Sequence, residues 1–508
     1  MSTDHRTQRR SRRRERRHRE RVSEIIKMTQ PVHKLPVYSL VSDESIELIH
    51  RKTLEILEEV GIDFYLQESR QILHEHGADV RGQTVHFDPA LIQEYVAKAP
   101  SKFTLLARNP ENNLSIGGDQ LVFAPVYGPP FVHDQLRGRR KASLEDFQNF
   151  VKLAYSSPYI HCSGGTVVEP NDISVDYRHL DMLYSHIKYG DKVFMGSVTS
   201  GENATDSVKM AELVFSKERI RRDPALISII NASSPRRFDE RMLEALTVYA
   251  RARQASIISP FILLGAMAPV SLAGALIQQN AEALAGIAFA QMVETGAPVI
   301  YGSFLTNVDL KSGSPVFGSP ESQIALYASA QLARRYGLPF RSGGMFASSK
   351  IPDAQAAYES VMTILPAVQA HTNFVLHAAG WLENGLSAGY EKFVLDCEIL
   401  GMLHTYMKGL DLSTEGLAME SLYNVEPGGH HLNTPHTMRH YKTAFYRSEL
   451  FDYLDYEQWT ENGSQNAYAR ANAKYKEILA SYEKPALDPG VEEALLEFIN
   501  QRKSEITG

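Results

Sequence analysis

Short apolar runs recur through the middle of the chain, and each leads into a Gly, Ser, Asn or Pro cluster and then a stretch long enough for a helix. Seven such units follow Ser143, with the runs IHCSGGTVVEP, KVFMGSVTS, ALISIINASSP, SIISPFILLGAMAP, PVIYGSFLTN, PFRSGGMF and FVLHAAGWLEN. Apolar strands that alternate with helices are typical of a parallel sheet covered by helices. The pattern predicts an α/β fold, a TIM (β/α)8 barrel with one blurred repeat, and a doubly wound open sheet is the alternative. No GxGxxG or GxxxxGK[ST] motif follows a run, which argues against a nucleotide-binding fold.

Smaller regions flank the predicted barrel. Residues 43–60 have apolar side chains mostly at helical spacing between a Ser or Asp cap and a glycine, so they predict an amphipathic helix. We divide the chain into an Arg-rich tail (1–30), an N-terminal α+β segment packed on the barrel (31–142), the barrel (143–460) and a C-terminal helical extension (461–508).

Charge is distributed unevenly along the chain. Residues 1–21 contain ten arginines and three acids, and the rest of the chain has 43 basic and 57 acidic residues. The acidic body repels polyanions, so we expect no specific nucleic-acid surface on it. A tail with so few apolar residues is expected to be disordered unless bound, and RNA or an acidic partner are its alternative ligands.

Further classes of protein are excluded by composition. No uncharged apolar run of the length needed to span a membrane occurs, so we expect no membrane association. The two cysteines, Cys162 and Cys397, have no CxxC spacing, which excludes a disulfide framework and a cysteine zinc site. A reducing cytoplasm is the expected location.

Aromatic residues are frequent where the predicted strands end, which is where a barrel carries its chemistry. Tyr301, Phe304, Phe346 and Trp381 are the principal examples. Each alone is compatible with core packing. Together they would form a cage for a cation that lacks N–H donors, because cation–π attraction needs no hydrogen bond. Glu383 follows the last of them and could supply the counter-charge.

A histidine cluster near the C terminus raises a second possibility. His430, His431, His436 and His440 lie within one short segment, and the last two are four residues apart. A metal-dependent TIM-barrel hydrolase is therefore an alternative. No HExxH motif supports it, so we assign no metal ligand and favour hydrogen-bonded histidines.

Several segments resemble the trimethylamine methyltransferase family. They are LIHRKTLEILEEVGIDF, GAMAPVSLAGALIQQNAEALAGI, GLPFRSGGMFASSKIPDAQAAYES and EPGGHHLNTPHTMRHY with the following YEQW, in order between Ile46 and Trp459. The resemblance implies a TIM-barrel enzyme that moves a methyl group from a methylated amine to the cobalt of a separate small corrinoid protein.

One departure from the family pattern bears on the substrate. Members that demethylate trimethylamine carry pyrrolysine at a strand end, and the equivalent region here, near Ser348, Ser349 and Lys350, has standard residues only. The non-pyrrolysine branch is similar to quaternary-amine methyltransferases. Glycine betaine is therefore the favoured substrate, with other betaines, trimethylamine or another methylamine as alternatives. Arg341 and His377 are the candidates to bind a betaine carboxylate.

The resemblance also implies how the cofactor is supplied. We expect the chain to bind no cofactor tightly, because the corrinoid (cobalamin) arrives on a cognate small corrinoid protein that docks over the barrel mouth. A homo-oligomer is expected too. A catalytically inactive relative that only binds a betaine or a regulatory partner is a further alternative.

Overall fold

A computed structural model of the protein describes residues 28–508. The Arg-rich stretch, residues 1–21, and the prediction that it is disordered lie outside the described residues. None of the helices within 28–508 is both long and apolar enough to cross a membrane.

The N-terminal segment forms a small α+β layer. The predicted first helix is confirmed as α1 (Asp43–Glu59): the Ser42 side chain caps it, and the side chains of Ile46, Leu54 and Leu57 are buried. The elements after it are β1 (Ile62–Phe64), α2 (Gln67–Glu75), β2 (Asp79–Arg81), β3 (Thr84–His86) and α3 (Pro89–Val96). Strands β2, β3 and β1 pair in that order, and the outer edge of β1 pairs with a short strand of the larger body, β11 (Arg237–Phe238).

Five strands connect this layer to the main sheet. They are β4 (Phe103–Leu105), β5 (Leu114–Ile116), β6 (Val122–Phe123), β7 (Phe131–Asp134) and β8 (Gly138–Lys141). The β4–β5 hairpin packs its apolar side chains against the interior of the main sheet. Strand β6 is itself part of that sheet, so the sheet begins before residue 143, where the sequence analysis placed the start of the barrel. The apolar run around β6, residues 121–124, leads into a Pro- and Gly-rich stretch and not into a helix, so it did not match the repeating pattern.

The main sheet is curled and wholly parallel. Its remaining strands are β9 (Phe194–Met195), β10 (Leu226–Ile230), β12 (Ala255–Ile258), β14 (Val299–Gly302), β17 (Phe340–Gly343) and β18 (Phe374–Leu376). Their order across the sheet follows their order along the chain, and β6 adds beyond β18. A doubly wound sheet would reverse direction at a switch point. The singly wound order therefore excludes the doubly wound alternative and leaves a barrel-like, seven-stranded sheet.

A segment without regular strand pairing lies between β6 and β9, the two edges of the curled sheet. The His161 N–H donates to the Phe123 carbonyl at 2.9 Å, and the Ser163 N–H donates to the Val193 carbonyl at 2.7 Å. Lys192 holds the backbone that precedes this segment, because its buried ammonium donates to three backbone carbonyls between residues 154 and 160 at 2.7–2.8 Å. The segment thus contacts both edges, although only one isolated bridge, Cys162 with Val193, is formed.

Helices cover the outer face of the sheet, and further strands extend its carboxyl end. The helices are α4 (Leu144–Ser156), α5 (Arg178–Tyr189), α6 (Gly201–Phe215), α7 (Lys217–Arg222), α8 (Glu240–Arg251), α9 (Leu272–Val293), α10 (Pro320–Arg335), α11 (Ala354–Gln369) and α12 (Tyr390–Tyr406). The strands are β13 (Phe261–Leu264), β15 (Phe304–Val308), β16 (Pro315–Val316), β19 (Trp381–Leu382) and β20 (Ser387–Gly389). They build two small sheets, β13-β15-β16 and β19-β20-β7-β8, where the parallel strands end.

The C-terminal part contains six helices: α13 (Thr414–Leu417), α14 (Met419–Asn424), α15 (Pro435–His440), α16 (Tyr456–Glu461), α17 (Ala467–Ala480) and α18 (Pro489–Thr507). Helix α17 packs on α12, and α18 packs on α6. Residues 408–456, called the arm below, are mostly exposed. The arm leaves the body where the strands begin: Gly409 lies beside Leu35, whose carbonyl accepts a hydrogen bond from His371, just before β18.

Candidate substrate site

Five aromatic rings meet where the carboxyl ends of β14, β17 and β18 come together. They belong to Phe304, Phe317, Phe346, His377 and Trp381, and their contacting centroids are 4.6–6.4 Å apart. Most of the contacts are edge-to-face or tilted, the arrangements that aromatic rings prefer. All five side chains are buried. Three of the four rings predicted for a cage, Phe304, Phe346 and Trp381, are thus brought together.

The backbone at the strand ends allows this close packing. A Cβ on Gly343 would lie 1.9 Å from the Phe346 ring, and one on Gly344 would lie 2.6 Å from the His377 carbonyl oxygen. His377 itself has a φ of 64°, a left-handed conformation that is rare for a residue with a side chain. Such conformations cluster at functional sites, where surrounding contacts hold them.

Arg341 is fully buried beside the rings. Its Nη1 donates to the Ser259 hydroxyl and to the Ser303 carbonyl, each at 3.1 Å, and its Cζ lies 5.8 Å from the Phe304 centroid. Its Nε–H has no acceptor, and no carboxylate of residues 28–508 lies within ion-pair distance of the guanidinium. Burial lowers the pKa of the Arg341 guanidinium to about 9. The site therefore contains a buried cation without a counter-ion.

His377 is held neutral next to this cation. The Arg341 Nη2 lies 3.3 Å from the His377 Nδ1. A guanidinium can only donate, so Nδ1 accepts and the ring proton is on Nε2. Burial and the Arg341 charge both lower the pKa of His377 well below its usual range. His377 thus orients the guanidinium as an acceptor and adds no positive charge.

Glu383 follows Trp381 closely, but its carboxylate is already paired. Its Oε2 accepts from the Arg139 Nε at 2.7 Å and from the Ser387 hydroxyl at 2.5 Å. Burial acts to raise the pKa of Glu383, but the contacts with Arg139 and Ser387 outweigh it and hold that pKa below its usual range. The carboxylate therefore neutralises Arg139 and is not free to act as the counter-charge of a bound cation.

The predicted pyrrolysine-equivalent region forms a tight loop beside the rings. The backbone N–H of Ser348 donates to Glu359 at 2.7 Å, and the Ser349 hydroxyl donates to Asp353 at 2.9 Å. The Lys350 ammonium is exposed and donates to the Ser348 carbonyl at 3.0 Å. The Ser348 hydroxyl also accepts from the backbone of Phe317 at 3.1 Å, so the loop helps to place that ring.

Tyr301 lies on the other face of the sheet and does not join the rings. Its hydroxyl donates to Asn280 at 2.8 Å and accepts from Gln279 at 3.0 Å, both on α9. Burial raises the pKa of its phenol well above the usual range. The cage prediction is corrected here: successive strand residues face opposite sides, and Tyr301 is on the helix side.

Phe317 belongs to the cluster but was absent from the predicted site. It precedes α10 and follows the two-residue strand β16, so it was not at the end of a recognised apolar run. Its ring lies 5.0 Å from that of Phe346 and 5.4 Å from that of Trp381. No spacing rule links a loop residue to a strand end, which is why the sequence pattern did not indicate it.

The C-terminal histidines lie on the arm, away from the strand ends. His440 Nε2 lies 2.7 Å from the Glu415 carboxylate, and His436 Nε2 lies 3.0 Å from the Glu415 carbonyl. These three residues could approach a metal ion, but Arg439 also donates to the Glu415 carboxylate at 2.9 Å. His431 instead contacts the Ser421 hydroxyl at 2.8 Å. The contacts join the short arm helices to each other.

A singly wound parallel sheet, with helices outside and its aromatic and charged groups at the strand ends, places the chain among α/β proteins of the barrel type. The crystal structure of the hydroxylamine MtmB complex has a similar fold: the TM-score is 0.50 at 8% identity, over 89% of this chain and 90% of that one. The family model described as trimethylamine methyltransferase (MTTB) matches residues 6–507. The chain belongs to that family, as the sequence motifs predicted.

Two relatives differ in the substrates that their names give. The glycine betaine methyltransferase of Desulfitobacterium hafniense (strain Y51) is 46% identical over 473 residues, which cover 93% of this chain and 98% of the relative. The proline betaine:corrinoid methyltransferase of Eubacterium limosum is 29% identical, over 81% of this chain and 87% of the relative.

Proposed function

We propose that the protein transfers a methyl group from a quaternary amine of the betaine type, glycine betaine being favoured, to Co(I) of a cognate small corrinoid protein. Family membership and the high identity to a glycine betaine methyltransferase support this reaction. The observation that carries the substrate class is the buried, unpaired guanidinium of Arg341 beside an aromatic cluster. A betaine has both complementary groups, a carboxylate and a quaternary ammonium.

The carboxylate is assigned to Arg341. A guanidinium recognises a carboxylate through two parallel N–H donors, and Nε–H is still without an acceptor. Burial of an isolated charge is costly, and a bound anion offsets that cost. Trimethylamine has no anionic group and would leave Arg341 unpaired, so the site favours a betaine over trimethylamine.

The quaternary ammonium is assigned to the aromatic cluster. The rings of Phe304, Phe346 and Trp381 already contact one another, so the cation lies against the cluster and not between its rings. The Arg341 Cζ is 5.8 Å from the Phe304 centroid. That closeness suits a betaine in which one carbon separates the carboxylate from nitrogen, a feature that glycine betaine and proline betaine share.

The reaction proposed is an in-line displacement. A methyl carbon of the ammonium is transferred to Co(I), the C–N bonding pair stays on nitrogen, and a neutral tertiary amine leaves. Positive charge on nitrogen disappears, so an anion held against it would stabilise the ground state more than the transition state. The pairing of Glu383 with Arg139 fits this requirement, since the rings then bind the cation without a fixed negative charge. Most of the acceleration would come from positioning.

The corrinoid is proposed to remain on its carrier protein, which docks over the strand ends. We further propose that residues 161–164 occupy the place of the eighth strand in a (β/α)8 barrel, supported by their hydrogen bonds to both sheet edges. A barrel interior filled with apolar side chains, as here, has no room for a macrocycle. The methyl group must then be presented at the mouth.

An absorbance assay for methyl-cobalt formation tests the proposal. The purified chain is mixed with its corrinoid protein in the Co(I) state and a panel of glycine betaine, proline betaine, carnitine, tetramethylammonium and trimethylamine. We expect glycine betaine to react with the highest kcat/KM and trimethylamine with the lowest. Methyl transfer without the corrinoid protein, or a preference for trimethylamine, would overturn the proposal.

A further inference from the structure

A buried ion pair contacts the two turns that carry Phe346 and Trp381, and the proposed reaction does not use it. The Lys392 ammonium donates to both carboxylate oxygens of Asp396, at 2.6 and 2.5 Å. Both residues are on α12, four positions apart, and they are 2% and 3% exposed. Among residues 28–508, neither side chain has another ion-pair partner. Any effect of the pair on the site must therefore come from its remaining hydrogen bonds.

The Asp396 carboxylate holds the turn that precedes Trp381. Its Oδ2 accepts from the Gly380 N–H at 2.9 Å. Gly380 has a φ of 97°, a conformation that residues with a side chain rarely adopt. A Cβ at Gly380 would also lie 3.2 Å from the Phe393 ring, which is on α12 as well. Helix α12 therefore packs directly on the backbone before Trp381, and Asp396 supplies the hydrogen bond between them.

The Lys392 ammonium contacts the turn that precedes Phe346. It lies 3.4 Å from the Met345 carbonyl oxygen, a long hydrogen bond. The Met345 N–H in turn donates to the His377 carbonyl at 2.9 Å. One ion pair on one helix thus contacts the backbone next to two rings of the cluster, and through Met345 it is joined to a third.

Stability alone does not account for a charged pair at this place. Apolar residues of similar volume often replace a buried ion pair without loss of stability. Hydrogen bonds to charged groups are short and directional, whereas apolar side chains can repack in several ways. Rings that bind a substrate need supporting contacts that limit their movement.

We propose that Lys392 and Asp396 are positioning residues, which hold Phe346 and Trp381 at the spacing that presents the substrate ammonium for methyl transfer. This role rests on the proposed function, which assigns the ammonium to these rings. The hydrogen bond from Gly380 to Asp396 is its main element, because it is the shorter of the two contacts with the turns.

Two double variants isolate that hydrogen bond. Lys392→Met with Asp396→Leu removes both charges and the acceptor, whereas Lys392→Met with Asp396→Asn removes both charges and retains an acceptor oxygen. Neither leaves an unpaired buried charge, so both should fold. We expect the Leu variant to lose at least about tenfold in kcat/KM, mostly in kcat, and the Asn variant to stay within about threefold of the wild type. The loss should be similar for glycine betaine and tetramethylammonium, because the ammonium is misplaced and the carboxylate is not.

The fluorescence of Trp381 gives a readout that does not depend on methyl transfer. The chain has two tryptophans, so Trp459→Phe leaves Trp381 as the only one. In that background the emission maximum should shift in the Leu variant and stay unchanged in the Asn variant, because indole emission depends on the surroundings of the ring. Asp181→Leu with Lys503→Met is the matched control. That ion pair, at 2.7 Å, joins α5 to α18, neither of which carries a ring of the cluster, and its removal should change neither kinetics nor emission.

The outcomes separate the positioning role from the proposed function. Wild-type kinetics and emission in the Leu variant would overturn the positioning role. Equal losses in the Leu and Asn variants would overturn it too, since the lost charges, and not the hydrogen bond to Gly380, would then be responsible. If the wild-type protein fails to methylate cobalt while emission still distinguishes the Leu variant from the Asn variant, the pair does place Trp381 and only the proposed function is lost.

Discussion

A buried guanidinium without a counter-ion destabilises the fold that contains it. Arg341 has no carboxylate partner among residues 28–508, and burial alone lowers the pKa of its guanidinium. Removing one partner of a buried ion pair is strongly destabilising, because it leaves a charge in this condition. On the proposed function, the carboxylate of the substrate supplies the missing partner.

Substitution of Arg341 should therefore separate stability from activity. Arg341→Met removes the buried charge and retains most of the volume, so we expect a thermal midpoint equal to or above that of the wild type. Loss of a charged, bidentate contact should lower kcat/KM for glycine betaine by about 100-fold or more, which is about 3 kcal/mol. Turnover of tetramethylammonium, which has no carboxylate, should change little.

Arg334→Met is the control for that experiment. Arg334 is exposed and donates to the Ala370 carbonyl at 2.7 Å, away from the strand ends that carry the rings. Its replacement should leave betaine turnover unaffected. If Arg341→Met lost activity equally with glycine betaine and with tetramethylammonium, the guanidinium would support the fold and would not bind the substrate carboxylate.

Single residues show how far the sequence could predict the site. Phe304, Phe346, His377 and Trp381 were found because each follows a recognisable apolar strand. Tyr301 was assigned to the wrong face of its strand. A strand that is apolar on both faces gives no alternation to show which way a side chain points. The pairing of Glu383 with Arg139, more than 200 residues away in sequence, depends on tertiary structure alone.

Strand ends are the elements that hold the rings together. Gly343 ends β17, and a Cβ there would lie 1.9 Å from the Phe346 ring. That ring also packs against Phe304, Phe317 and Trp381, so it cannot shift without disturbing those contacts. Interiors of this density do not absorb an extra methyl group without strain.

Gly343→Ala should accordingly displace Phe346 and disturb the site. We expect a rise in KM for glycine betaine of about tenfold and a loss of about 1–3 kcal/mol in the free energy of unfolding. Gly274→Ala, on α9, is the control, because its Cβ would make only ordinary contacts of 3.4 Å or more. Steady-state kinetics and urea unfolding measure the two effects. Unchanged KM in Gly343→Ala would contradict the role assigned to ring packing.

At the scale of secondary-structure elements, the sequence predicted most strands of the main sheet but not all of them. The sequence analysis recognised the apolar runs of β10 and β12, and also the run that contains residues 161–164, although these four residues form no regular ladder. Strand β6 was not recognised, and its hydrogen bonds to β18 place it in the sheet. The arm was assigned to the barrel because its exposed apolar residues resemble core residues when only the sequence is read.

At the scale of the whole molecule, several buried histidines make stability depend on pH. Burial lowers the pKa of His33, His186 and His404 to about 4. In the unfolded chain an imidazole takes up its proton near pH 6.5. Between these two values the unfolded chain binds more protons than the native one, so the free energy of unfolding falls as the pH falls.

Urea unfolding at pH 7 and pH 5.5 should reveal this dependence. We expect the free energy of unfolding to drop on the order of 1 kcal/mol per pH unit for each of these histidines. His404→Phe retains a ring at that position and removes the titrating nitrogens, so its stability should fall less steeply with pH. Equal stability at the two pH values would show that these imidazoles bind protons equally in the native and the unfolded states, so that burial does not lower their pKa.

On the proposed assignment, the Arg341 anchor also governs how the product leaves. The carboxylate takes no part in the reaction, so the guanidinium holds substrate and product alike and contributes nothing to the barrier itself. Release must then depend on the nitrogen end. Once demethylated, the amine takes up a proton in water and gains an N–H that aromatic rings cannot satisfy. The rings would therefore bind the product more weakly than the substrate, while Arg341 binds the carboxylate of both equally. The strength of product inhibition should depend on these two affinities.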